Sequence, residues 1–154
     1  MKIAFEDTPK VCRGEFCIEV RRNGQIVDEY SDHNLVVNVG RERLANLAAG
    51  LSDKYITQIG VGTGTNIEDE DDTELEEQAL FPLSNVSVDG RDAKFEFIIG
   101  ESDANGMAIT EFGLFCADDT MFSHRVRRNE DTGKIGVIDK MDDLELRGYW
   151  ILHF

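Results

Sequence analysis

No apolar run in this chain approaches the roughly 20 residues that a membrane-crossing helix needs, so no helical membrane anchor is expected. The first ten residues lack a basic region followed by an apolar stretch, so no secretory signal is expected either. Basic residues are scarce: 16 Lys and Arg stand against 31 Asp and Glu, for a net charge of -15. Phosphate recognition rests on clustered cations, so this balance argues against a nucleic-acid partner and against an anionic membrane surface. Excess acid is more ordinarily a device for solubility. The three cysteines, Cys12, Cys17 and Cys116, are an odd number without metal-ligand spacing and suggest synthesis in a reducing compartment. Cys17 and Cys116 lie in apolar text and read as small buried hydrophobes. Proline occurs twice, and the 14 glycines fall mostly between apolar runs, as turns would place them.

What is present suits one domain. Of 154 residues, 41% are hydrophobic, enough for a packed core. Residues 1–13 have no clean period and read as an N-terminal arm or edge strand; 14–154 read as a single β-rich domain. Phe16, Ile18 and Val20 alternate with Glu15, Cys17 and Glu19, the period of a strand. Asn23-Gly24 signals a hairpin into a strand over Ile26 to Tyr30. One helix is expected at about 40–49, with Leu44, Leu47, Ala48 and Leu51 on one face and Gly50 as its C-terminal left-handed residue. Tyr55 to Val61 reads as a strand. Thr73, with Glu76 three residues on, suggests a capped short helix to Leu80. Asp89-Gly90 joins a hairpin over Ser84 to Val88 and Lys94 to Ile99. A second hairpin spans Ile109 to Cys116 and Met121 to Arg127, and a last strand runs from Leu144 to Phe154. The expected fold is mainly β: an antiparallel β-sandwich or barrel-like domain with one packed α-helix.

No constellation announces catalysis, and no cofactor is implied. Gly60, Gly62 and Gly64 lack the third glycine of a dinucleotide fingerprint and the Lys of a phosphate loop, so they read as a strand end and flexible turn. The block Glu68 to Asp72 makes Asp69, Asp71 and Asp72 a weak Ca²⁺ candidate. Counting from Asp69, the sixth residue is Glu74 where the calcium loop of an EF-hand needs Gly, so a solvated acidic loop is the plainer reading. His33, His124 and His153 are scattered, and Ser123 and His124, adjacent on a strand, would point to opposite faces. Arg125, Arg127 and Arg128 form the main basic cluster. They are interaction candidates, either for the acidic loop of a neighbouring copy or for acids across their own sheet. Glu111, set among Ile109, Phe112, Leu114 and Phe115, is expected to be a hydrogen-bonded structural acid, because a bare buried carboxylate is costly.

Several segments together resemble a known group. "HNLVVNVGRERLANLAAG" is followed by "YITQIGVGTGT" and "DDTELEEQAL"; later come "NGMAITEFGLFCADDTMFSHRV" and the closing "LELRGYWILHF". This order is similar to that of bacteriophage and prophage virion structural proteins of the tail fibre, collar or baseplate-associated group. The most specific piece is Ile109 to Phe115 with Met121-Phe122 after the turn, which resembles an "E-x-G-L-F…lF-x-R" hairpin. The resemblance implies a non-enzymatic assembly component, made in the host cytoplasm and resident in the virion. Its expected partners are other virion proteins and copies of itself as a homo-oligomer, with no nucleic acid and no membrane. A capsid decoration protein and a receptor- or glycan-binding module are the alternatives.

Overall fold

The computed structural model describes residues 13–129 and 131–154. The expected arm at 1–13 thus lies outside the described residues, except that Arg13 already opens the first strand. β1 (Arg13–Arg22) turns through Asn23-Gly24 into β2 (Gln25–His33). Both turn residues have positive φ, 53° and 78°, the left-handed pair that a two-residue hairpin requires. β3 (Leu35–Val36) leads into the one helix among the described residues, α1 (Asn38–Ala48). Then come β4 (Ile56–Gly62), β5 (Ala79–Pro82), β6 (Asn85–Asp89), β7 (Asp92–Ile99), β8 (Ala108–Ile109), β9 (Glu111–Cys116), β10 (Met121–Val126), β11 (Ile138–Asp139) and β12 (Leu144–His153).

Two five-stranded antiparallel sheets face each other, ordered β2-β1-β12-β7-β6 and β3-β10-β9-β4-β5, with a small β11-β8 pair beside them. The expected sandwich with one packed helix is what forms. Alternation explains the shared core: Phe16, Ile18 and Val20 of β1 and Leu146, Trp150 and Leu152 of β12 all turn inward. They meet Phe112 and Leu114 of β9 and Ile59 and Val61 of β4 from the other sheet. Phe16 is the hub, its ring centroid 4.8 Å from both Phe112 and Trp150. Truncating such a ring to alanine costs about 3–5 kcal/mol.

Two expectations change at the element level. The apolar stripe expected to bury α1 is only half covered: Leu44 and Leu47 are partly buried, Ala48 and Leu51 are exposed, Leu51 by 78%, and the helix's one buried residue is Gly40. A Cβ at Gly40 would stand 2.3 Å from the backbone oxygen of Phe122. The helix therefore docks by close backbone approach to β10, with Leu44 reaching the core. The Thr73-to-Glu76 capping pattern yields no helix; the segment is irregular until β5 begins at Ala79. Its backbone is engaged sideways instead. The Glu76 carbonyl accepts from Thr63 N–H at 3.0 Å, the Glu76 N–H donates to Glu111 at 3.0 Å, and Glu77 sits at φ 49°. Tertiary partners override a local signal worth about 1 kcal/mol.

Candidate functional site

The outer face of the β9–β4 sheet carries a polar cluster around Glu111 and His124. Its floor is a track of glycines. A Cβ on Gly60 would meet the Phe115 ring at 2.4 Å, and one on Gly62 would meet the Glu76 carbonyl at 2.7 Å and Leu75 at 2.8 Å. One on Gly64 would stand 2.3 Å from the Glu111 carboxylate. None of the three has positive φ, so their role is room rather than flexibility. The strand end read here is where β4 closes, at Gly62. The track admits the segment 63–78, which lies over the sheet and drives Leu75 into a second small core with Val37, Phe115 and Met121.

Glu111 and His124, on adjacent strands β9 and β10, lie beneath that segment and are 3% and 4% exposed. One Glu111 oxygen accepts from the N–H groups of Gly64 at 2.5 Å and Glu76 at 3.0 Å. The other lies 2.7 Å from His124 Nε2, and His124 Nδ1 lies 2.8 Å from Asp72. With a carboxylate on each ring nitrogen, only the imidazolium makes both hydrogen bonds as a donor. Burial pushes the His124 pKa down, but bonding to Glu111 and Asp72 outweighs it and holds the ring above its ordinary value. Glu111 is thus the hydrogen-bonded structural acid expected of it. Ser123 faces away from this system, and its buried hydroxyl has no hydrogen-bond partner among the described residues.

Glu68 anchors the other end of the loop. It accepts from Arg125 at 2.9 Å, from Arg128 at 2.7 Å and from Val126 N–H at 3.1 Å. Burial raises its pKa, but Arg128, its neighbouring N–H groups and the charge of Arg125 more than reverse this and leave it below the ordinary carboxylate range. Arg125 also binds Asp32 closely and donates to the Tyr30 hydroxyl at 3.3 Å. Arg127 reaches Asp28 at 2.7 Å and stacks over the Tyr30 ring. The basic cluster Arg125, Arg127 and Arg128 therefore meets acids of its own chain, including the acidic loop, rather than standing bare for a neighbour's.

The weak Ca²⁺ candidate is corrected in the same way. The carboxylates of Asp69, Asp71 and Asp72 do not converge: Asp69 accepts from Asp71 N–H, Asp71 from the Asn38 amide, and Asp72 from Asp69 N–H and His124. Among the described residues no group of three or more His, Cys, Asp or Glu stands close enough to hold a metal ion. Hydrogen bonding in the loop engages one oxygen of each of these carboxylates separately.

Three further features surround or lie apart from this network. An open cleft of about 1010 Å³ runs between β1–β2 and the turn after β10, with Tyr30, Tyr149, His33, Arg127 and Lys134 on its walls. Lys140 is fully enclosed, and its ammonium donates to Asn105 Oδ1 at 2.8 Å, to the Met141 carbonyl at 2.9 Å and to the Glu101 carbonyl at 3.4 Å. Nothing in the local sequence marks it, because two of its three partners come from a loop 35 and 39 residues earlier. Of the cysteines, Cys116 is buried, with burial pushing its thiol up to about 11. Cys17 is only half-buried, on the outer face of β1, where the alternation of that strand puts it opposite Tyr149. Cys12 lies outside the described residues. No family model, no curated protein and no solved structure matches the chain.

Proposed function

We propose that this chain is a structural component of a phage particle, a non-enzymatic assembly part of the tail, collar or baseplate region that works in multiple copies. One observation supports the reading best. The charged groups of β9 and β10 are used inwardly, binding the acidic loop to the sheet through Glu111, His124, Glu68 and Arg125, while the β6 edge stays open to a neighbour. A domain with these charged side chains paired and one strand edge exposed suits assembly. The ordered resemblance of the β9–β10 hairpin to virion proteins points the same way. The test is direct: particles induced from the source strain, purified and denatured, are blotted with antibody to the chain. A band, with gold label confined to tail or neck on intact particles, is the expected result. Label over the head lattice would favour a decoration protein, and no band would end the reading.

The cleft beside Tyr30 and Tyr149 favours one alternative, a glycan-binding module, since two half-buried tyrosines with cations nearby suit a sugar face. Tyr149→Ala should then abolish binding on a glycan array while leaving particle incorporation intact.

A further inference from the structure

Strand β6 is the outer edge of its sheet, and all five of its residues are exposed, Val86 by 51% and Val88 by 71%. Edge strands are usually blunted by lysine, proline, bulges or covering segments. The other edges here are so treated. β2 carries Asp28, Glu29 and Asp32, two of them tied to Arg127 and Arg125 of the segment beside it. β3 is two residues long, and β5 ends in Pro82. β6, reading Asn-Val-Ser-Val-Asp, has neither Lys nor Pro, and its pairing with β7 runs without a register shift.

The two-residue turn makes Asp89 and Asp92 the first bonded pair of the hairpin. Strict alternation from there aims the N–H and C=O groups of Val86 and Val88 away from β7, toward the open edge. The strand is also close to a palindrome about Ser87. A second copy turned by a two-fold axis through Ser87 sets Val86 opposite Val88 twice and Asn85 opposite Asp89 twice. No like charges face each other, and the amide of Asn85 suits the carboxylate of Asp89. The same operation through the centre of β2 would set Glu29 against Glu29.

We propose that two copies of this chain join edge to edge through β6, antiparallel and centred on Ser87, so that one sheet continues into the next. The valine pairs then cover each other on the side of the sheet that faces the core, and Val86 and Val88 exchange backbone hydrogen bonds. Such an edge is small beside the about 800 Å² per partner of a stable interface, and each copy carries a charge of -15. The dimer is therefore concentration-dependent and strengthened by salt, opposite to a contact held by ion pairs. The inference specifies the self-association within the proposed function but rests on strand geometry alone, so absence from particles would not remove it.

Ser87→Cys in the full chain is the test. Across a non-bonded antiparallel pair the Cα atoms lie about 4.5 Å apart, within the range a disulfide spans. Mild oxidation should give a disulfide dimer at least about tenfold above wild type, whose native cysteines set the background. Mass spectrometry should find a peptide pair cross-linked through the two introduced thiols. Asn85→Cys, equally exposed but opposite Asp89, should stay at background, and adding Val88→Lys should abolish the S87C dimer. Sedimentation of wild type should show mass rising with concentration and with salt. The proposal fails if S87C links no better than N85C, if V88K leaves the linking unchanged, or if wild type stays monomeric to about millimolar concentration.

Discussion

Glu111 shows how much one buried carboxylate can organise. It satisfies two backbone N–H groups of the overlying segment and one side of an imidazolium. Glu111→Leu fills similar space but leaves all three donors without that partner, so a loss of about 3–5 kcal/mol is expected, as for removing one member of a buried pair. Urea midpoints would measure it; an unchanged midpoint would mean that Glu111 has no buried role. The acid itself was legible, since a Glu in an apolar strand must find donors. The rest of its network was not, because Gly64 lies 47 residues before Glu111 and Asp72 lies 52 before His124. Cys116 carries a second expectation at this scale. Its thiol, at about 11 by burial, should resist aromatic disulfide reagents in the native protein at mildly alkaline pH and react once unfolded. Reaction at the same rate in both states would contradict the burial.

At the scale of the element, the segment 63–78 is the part that the sequence described least well. Its capping pattern argued for helix, and its eight acids between Glu68 and Glu77 argued for a solvated loop. Glu68 and Asp72 instead hold it down on β10, and the glycine track gives it a bed. Gly62→Ala should lift it. The new Cβ would stand 2.7 Å from the Glu76 carbonyl, a backbone atom that cannot move aside cheaply. Amide exchange within 63–78 should then accelerate while the β6–β7 hairpin keeps its protection. Uniform acceleration everywhere would instead mean that this segment is no separate unit. Hairpins, by contrast, were legible because their cause is local. Asn23-Gly24 and Asp89-Gly90 place residues at positive φ between alternating strands, and both hairpins form there.

For the whole molecule, the two ends of the ion network give opposite pH slopes. His124 has its folded pKa raised above an ordinary value of 6.5. Its contribution is complete below that value and is lost as pH rises through the folded pKa. Glu68 is lowered from 4.5, so its contribution is complete above that value and is lost as pH falls through the folded one. Stability should therefore be greatest on the weakly acidic side of neutrality. His124→Gln should flatten the alkaline limb in urea titrations at graded pH. His153, raised chiefly by its bond to Asp92, adds a smaller limb that salt should suppress because the pair is exposed. An alkaline limb that H124Q leaves intact would show that His124 is not charged in the native state.

By itself the sequence determined the β class, the hairpins, the inward parity of β1 and the position of the helix. Each of these follows from side-chain period or turn chemistry within some twenty residues. Only the tertiary structure decided that β1 pairs with β12 from the opposite end of the chain, that the glycine run makes room for the segment over it, and that the acidic loop and the arginines neutralise each other within one chain. Those outcomes depend on groups that meet only after the sheets stack. A carboxylate's partner is set by distance and burial in space, and spacing along the chain carries neither.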